Sequence, residues 1–442
     1  MYPNFSEIFE RVAGSTDSLV KRGRVSRVVG LALESEGPKA AIGEVCELRD
    51  RSGKVISRSE IVGFKDRGRI LSMVLGELTN ISPGMEIIAT GETLSIGVGE
   101  EMLGRALDGI GAPIDGGPEP RCVERRSIYA PPPNPLSRKR IEEPIATGIR
   151  AIDGMLTLGK GQRVGIFAGS GVGKSTLLGM IARNTSADIN VIALIGERGR
   201  EVKEFIEKDL GPEGLARSVV IVATSDTPSL MRVKSALVAT TIAEYFRDRG
   251  LDVMLMMDSV TRLAMAQREV GLTIGEPPTT KGYTPSVFSI MQKTMERAGA
   301  SDKGTITGLY TVLVEGDDMN EPIADTARGI LDGHIVLSRR LASLGHYPAI
   351  DVLESVSRVK GDVISLEHNV ASRKIQQAMA IYRTSEDLIS VGAYQAGSNP
   401  STDRAIALNP VINEFLTQGV NENVVYDQTV GRLIQISESG KK

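Results

Sequence analysis

The chain has no tryptophan, and only 4% of its 442 residues are aromatic. Residues 22–97 contain a single aromatic side chain, Phe64. A domain that reads nucleic acid needs basic and aromatic residues together, and this stretch offers neither in excess. Net charge is only −3, so no basic excess points to a nucleic-acid partner either. Cysteine is scarce too. Cys46 and Cys122 lie far apart and fit no metal spacing, which excludes a disulfide framework and favours two reduced thiols in a cytoplasmic protein. The three histidines, His334, His346 and His368, have neither metal spacing nor a nucleophile beside them and receive no role. No run approaches 18 apolar residues, the length of a membrane-spanning helix. The opening MYPNFSEIFERV carries acidic residues where an export signal needs a basic region and an apolar run.

Glycine is abundant, at 48 residues, which suits an α/β protein with many tight loops. Phe5, Ile8, Phe9 and Val12 recur at helical spacing. They predict a short amphipathic helix in an N-terminal segment, 1–21, that docks on its own chain or on a partner. Residues 22–97 break into five or six short β-rich runs, with RSG, DRG and SPG between them. That spacing predicts a small antiparallel barrel or sandwich. Two Gly/Pro-rich linkers follow, at 104–120 and 129–144. The basic cluster Arg138, Lys139 and Arg140 reads as a solvated linker face. A central domain, 98–364, alternates unbroken apolar strands with helices, the pattern of a parallel sheet covered on both faces. Residues 365–442 turn helical, and Pro410 predicts a kink or two short helices within 401–416.

The strongest chemical signal is AGSGVGKST, Ala168 to Thr176, after the strand RVGIFA and before a helix. This is the context a Walker A loop needs, although its first position is Ala168 rather than glycine. The backbone of Gly169, Ser170, Gly171, Val172, Gly173, Lys174, Ser175 and Thr176 would cradle phosphate oxygens. Lys174 would reach the β and γ phosphates, and Ser175 would offer a hydroxyl to Mg²⁺. DVMLMMD ends at Asp258, a carboxylate at the carboxyl end of a buried strand. Paired with Lys174 and Ser175 it reads as a Walker B residue that would hold Mg²⁺. Glu197, in IGERGREVKEF, follows the second strand. It is either the residue that orients or deprotonates water for ATP hydrolysis or part of a surface Glu–Arg turn. The acidic EGDDMNE at 315–321 reads as a solvated turn. In SLGHYPAIDVLESVSRVK, Tyr347 is either a base-stacking or a packing residue, and Arg358 either neutralises charge on a transferred phosphoryl group or is solvated; local physics favours packing and solvation, and spacing does not decide.

Taken together, AGSGVGKS, GERGRE, the strand ending in Asp258 and PAIDVLESVS at 348–357 resemble the catalytic subunits of the rotary ATPase superfamily. Within it, LTLGKGQRVGIFAGSGVGKSTLLGMIAR, EGDDMNEPIADTARGILDGHIVLSR and EDLISVGAYQAGSNP look most like the type III secretion ATPases, the flagellar export ATPases in particular. The resemblance implies an N-terminal β-barrel, a central RecA-like P-loop parallel-sheet domain and a C-terminal helical domain. It implies ATP and Mg²⁺, with Glu197 as catalytic glutamate, Asp258 as Walker B carboxylate and Arg198 and Arg262 in the catalytic core. Tyr347 falls where the adenine-stacking tyrosine sits, and Arg358 where the arginine finger sits. The implied partners are five further copies in a homohexamer, a stator-like regulator at the N-terminal segment and a central stalk-like protein. Export-gate membrane proteins and chaperone–cargo complexes complete the set, with the ring cytoplasmic and peripheral to the membrane apparatus. Glu197 and Arg358 in one chain suit a ring of like sites better than the divided labour of an ATP synthase. The alternatives are a synthase catalytic subunit, an RNA-translocating hexamer and a nucleotide-binding scaffold without turnover.

Overall fold

A computed structural model describes residues 21–65, 68–314, 316 and 318–439. The helical pattern at 4–12 lies outside these residues, as do Glu315 and Asp317 of the acidic run. Among the described residues no helix is long and apolar enough to cross a membrane.

Six short strands form the N-terminal part of the described chain. They are β1 (Arg22–Val29), β2 (Ala32–Glu36), β3 (Glu44–Arg49), β4 (Val55–Lys65), β5 (Arg69–Val74) and β6 (Glu86–Thr93). They close in the order β1-β2-β5-β4-β3-β6, with β1 antiparallel to both β2 and β6. Closure leaves no free edge. Of the two arrangements the turn spacing allowed, the chain forms the barrel. Leu33, Leu48, Ile61 and Ile87 fill its interior, each 0% exposed. Cys46 lies among them, and burial pushes its thiol up to about 12. Cys122 is exposed, and both are free thiols.

The barrel belongs to one compact unit; Ile96 onward, apart from Glu269–Pro277, belongs to a second. The second unit is built on a nine-stranded sheet. Its principal strands are β7 (Ala106–Asp108), β8 (Arg163–Ala168), β9 (Ile189–Ile195), β10 (Ser218–Ala223), β11 (Asp252–Asp258), β12 (Thr305–Leu313), β13 (Gly333–Leu337) and β14 (Ile350–Ser357). Their order is β14-β13-β8-β12-β11-β9-β10-β7, and a short strand, Gly299–Ala300, pairs with β12. From β13 to β7 neighbours run parallel; β14 alone on this path runs antiparallel. Every residue of β9 and β10 is buried, as sheets with helices on both faces require.

Helices α1 (Lys174–Asn184), α2 (Gly199–Glu204) and α3 (Ser229–Arg247) follow β8, β9 and β10 in the chain. After β11 come α4 (Val260–Ile274) and α5 (Pro285–Glu296), then α6 (Pro322–Ile330) after β12 and α7 (Arg339–Ser343) after β13. The chain closes with α8 (Leu366–Ser390), α9 (Pro400–Leu416) and α10 (Tyr426–Ser439). These last helices share one apolar core with the sheet: Ile375, Leu408, Phe415 and Leu433 cluster with Val164 and Ile166.

Several local readings change in the folded chain. The connector at 104–120 supplies β7, the edge strand beside β10. Arg138 is half-buried rather than a solvated linker residue. Its guanidinium donates to the carbonyl oxygens of Glu296 and Ala298, at and just past the C-terminal end of α5, where a helix leaves carbonyls unpaired. Lys139 and Arg140 are exposed. Pro410 lies within a single continuous helix, Pro400–Leu416. In the acidic run, Glu321 caps α6 by accepting from the backbone N–H groups of Ile323 and Ala324. Residues Ile350–Ser357, between Tyr347 and Arg358, form the edge strand β14. His368 is buried, with Nε2 2.7 Å from the carbonyl oxygen of Gly154.

Candidate functional site

Strand β8 is flanked by β12 and β13, with Ala168 paired to Leu313 and Leu337. The loop 169–173 therefore leaves the sheet between two strand ends, where an open α/β sheet presents its ligand crevice. Gly173 turns the chain into α1 at φ +85°, a left-handed conformation that favours glycine. The loop and the first turn of α1 line a cavity of about 580 Å³. Among the described residues, Lys174, Arg198, Arg262 and Arg339 line it against two carboxylates, Glu197 and Glu201. The excess of cations and the helix N-terminus both favour an anion.

Three side chains meet beside it: Lys174 from the start of α1, Glu197 from just beyond β9 and Asp258 from the end of β11. Lys174 is hydrogen-bonded to Asp258. Its Nζ lies 3.6 Å from Glu197 Oε1, and Arg262 Nε lies 3.4 Å from the same oxygen. Gly196, at φ +69°, makes this approach possible: a Cβ there would fall 2.7 Å from Arg262 Cδ. Asp258 is 2% and Glu197 8% exposed. Burial is the main force on the Glu197 carboxyl and pushes it up to about 7; Lys174 opposes that rise and Asp258 adds to it. A carboxyl held near neutrality is suited to accepting a proton at cellular pH.

The other expected residues are placed as follows. Ser170, Gly171 and Ser175 are exposed, and Ser175 and Thr176 line the cavity. Val172 sends its side chain into the core at 2% exposure, so only its backbone is available to a ligand. Arg198 lines the cavity rim, with its side chain 78% exposed and Glu201 at 3.5 Å. The Tyr347 ring lies against Gly173, 3.5 Å from where a Cβ would stand, and the residue is 42% exposed. Arg358 is not brought to this cavity. It is exposed beyond the far end of β14, where its backbone N–H donates to Asp332 O at 3.0 Å and its Nη2 to Arg328 O at 3.3 Å.

Two residues of the site escaped the sequence reading. Thr311 donates its hydroxyl to Asp258 Oδ1 at 2.7 Å, fixing the carboxylate that holds Lys174. The only hint was a hydroxyl in the apolar run LYTVLV. Arg339 lies over the phosphate loop: a Cβ on Gly169 would come 2.6 Å from its Nε. The pairing of Leu337 with Ala168, which brings Arg339 there, is a long-range contact with no local signal.

Among the described residues, no group of three or more His, Cys, Asp or Glu could hold a metal ion. The donors at hand are the Ser175 hydroxyl and the carboxylates of Asp258 and Glu197. Hard oxygen donors in this small number fit Mg²⁺, which typically takes one or two carboxylates and completes its shell with water and phosphate.

Comparison with known proteins agrees with this geometry. Residues 148–357 match the model of the ATP synthase alpha/beta family, nucleotide-binding domain. Residues 25–91 match that family's beta-barrel domain, and residues 364–435 match the T3SS EscN ATPase C-terminal domain. The chain is 55% identical to the flagellum-specific ATP synthase of Bacillus subtilis, over 96% of each chain. It is 50% identical to the type 3 secretion system ATPase of Xanthomonas euvesicatoria, over 94% of each. It superposes on the assembled ATPase EscN of the enteropathogenic E. coli type III secretion system with a TM-score of 0.88 and 45% identity, covering 94% of this chain and 100% of that one. EscN has also been solved with its central stalk EscO, and that structure gives a TM-score of 0.87 over the same coverage.

Proposed function

Because the chain belongs to the flagellar and type III secretion ATPase family and is an ATP hydrolase, we propose that it powers protein export as a ring of identical subunits. The ring is a homohexamer in the cytoplasm, seated on a membrane export gate, with a stalk-like protein in its pore and a stator-like regulator at its N-terminal segment. Turnover releases chaperones from cargo, unfolds cargo or delivers it to the gate.

The reaction follows from the side chains that meet beside the cavity. The triphosphate lies along the backbone N–H groups of Gly169–Thr176, and Lys174 leaves Asp258 to pair with the β and γ oxygens. Ser175 and Asp258 would hold Mg²⁺, which when bound would supply charge neutralisation to the phosphates. Glu197 orients a water molecule and accepts its proton as the water oxygen bonds to the γ phosphorus. The bond from that phosphorus to the β–γ bridging oxygen breaks, and ADP leaves with the electron pair. Arg262 and Arg198 order Glu197 and the rim around it. Tyr347 stacks on the adenine.

Arg358 acts on the neighbouring subunit. Ile350 of β14 pairs with Leu337, level with the phosphate loop, whereas Ser357 pairs with Gly333 at the opposite end of the sheet. Those two β13 residues stand four positions apart, about 13 Å at ~3.3 Å per residue. An arginine that far from its own phosphate loop is available to a site across an interface.

The meeting of Lys174, Glu197 and Asp258 within hydrogen-bond and ion-pair reach carries the reading of hydrolysis. Replacing Glu197 with Gln keeps the shape of the site and removes the proton acceptor. ATP binding should persist while turnover is lost. Undiminished turnover would refute the assignment.

A further inference from the structure

We infer that Arg150 is a positioning residue for Tyr347, acting through the segment 415–422 that joins α9 to α10; the inference rests on Tyr347 stacking on the adenine. Arg150 is 7% exposed and immediately precedes the π-helical turn Ala151–Leu156. Its guanidinium donates to Phe415 O at 2.8 Å and to Thr417 O. These groups lie at the C-terminal end of α9, where carbonyls lack partners and positive charge is favoured. The same guanidinium pairs with Glu422 and holds that carboxyl below its ordinary range. Arg150 is thus the cap of α9 and the anchor of the segment beyond it.

Gln418 passes this hold on to Tyr347. It is 3% exposed. Its Oε1 accepts from the Arg150 N–H at 2.9 Å, and its Nε2 donates to Gly148 O at 2.7 Å. Its own backbone N–H donates to Tyr347 O at 2.8 Å. A third tie comes from α1, where Arg183 Nη2 donates to Val420 O at 2.8 Å. The Tyr347 ring is half open to solvent, so its backbone tie to Gln418 contributes much of its placement. A shift of α9 or α10 would therefore reach the base before it reached the phosphates.

The test separates base from phosphate. ATP and inorganic tripolyphosphate are titrated against the full-length protein and its variants. Tyr347→Ala should weaken ATP binding by about tenfold or more, the loss expected for one stacked base. Arg150→Ala should weaken ATP binding about three- to tenfold, the effect of a lost hydrogen-bonded tie, and leave tripolyphosphate binding unchanged. In a Tyr347→Ala background the same change should have no further effect on ATP. Gln418→Ala should give the same pattern, and it serves if Arg150→Ala fails to fold. Equal losses for ATP and tripolyphosphate, an undiminished ATP affinity, or losses that simply add to that of Tyr347→Ala would each overturn the inference. If Tyr347→Ala itself leaves ATP binding unchanged, the stacking role fails and the inference fails with it. A normal loss for Tyr347→Ala beside a silent Arg150→Ala refutes the inference alone.

Discussion

Replacing Arg358 with Ala tests whether one chain is the working unit. If Arg358 served its own phosphates it would act from about 13 Å or more, the rise of β13 from Leu337 to Gly333. At that distance in water a unit charge contributes only ~0.3 kcal/mol, and salt screens it further, because the Debye length is about 8 to 10 Å. Its loss would then change turnover by less than about twofold. An arginine delivered to a neighbour's transferring phosphoryl group contributes about 10³ to 10⁵ in rate. The two readings differ by orders of magnitude. Mixing experiments locate the effect. Subunits carrying Arg358→Ala and subunits carrying Lys174→Ala are each inactive alone. When they are combined at random in equal amounts in a head-to-tail ring, ~25% of interfaces regain both groups. Steady-state phosphate release, followed against mixing ratio, should peak near equal proportions at roughly a quarter of the unmodified rate. Mixed rings, verified by mass, with no recovery at any ratio would refute action across the interface.

Three further outcomes follow from the buried cluster. Glu197 accepts a proton only when ionised, and burial holds it near 7. kcat/KM should therefore fall about tenfold per pH unit below that value, and a flat profile from pH 6 to 8 would count against Glu197 as the acceptor. The same shift has a sign in stability. A raised carboxyl favours the protonated fold, so the contribution is complete below 4.5 and is lost as pH rises through about 7. Glu197→Gln should accordingly melt higher than the unmodified chain above pH 7 and match it below 4.5. Thr311→Val keeps the side-chain volume but removes the donor to Asp258. A hydrogen bond to a charged group is worth about 1.5–3 kcal/mol, so kcat should drop by about tenfold or more while the protein remains folded; an unchanged kcat would remove Thr311 from the site.

The phosphate loop was legible because every determinant is local: an apolar strand, glycines, Lys174 and a helix follow one another without a gap. Asp258 and Glu197 were legible for a related reason. In a parallel sheet all carboxyl ends point one way, so a carboxylate ending one strand lies near the loop that ends another. Thr311 and Arg339 were not, because strand order, not spacing, brings β12 and β13 to either side of β8. Arg138 illustrates the same limit. Three basic residues after a proline run look solvated until the end of α5, about 160 residues away, arrives to take one of them. The direction of β14 was the least readable feature. Its sequence is compatible with either direction, and only its pairing with β13 sets it antiparallel.

That reversal links two distant ends of the sheet through one strand. Ile350 stands level with the phosphate loop, and Ser357, beside Arg358, stands four residues away along β13. Eight residues of β14 face five of β13, and the surplus lies where the register shifts, between Asp351 and Val356. A bulged stretch, not a straight strand, therefore sets where the arginine emerges. Deleting a residue inside the bulge should move Arg358 less than deleting one from the paired ends, which turns the neighbouring side chains to the opposite face of the sheet.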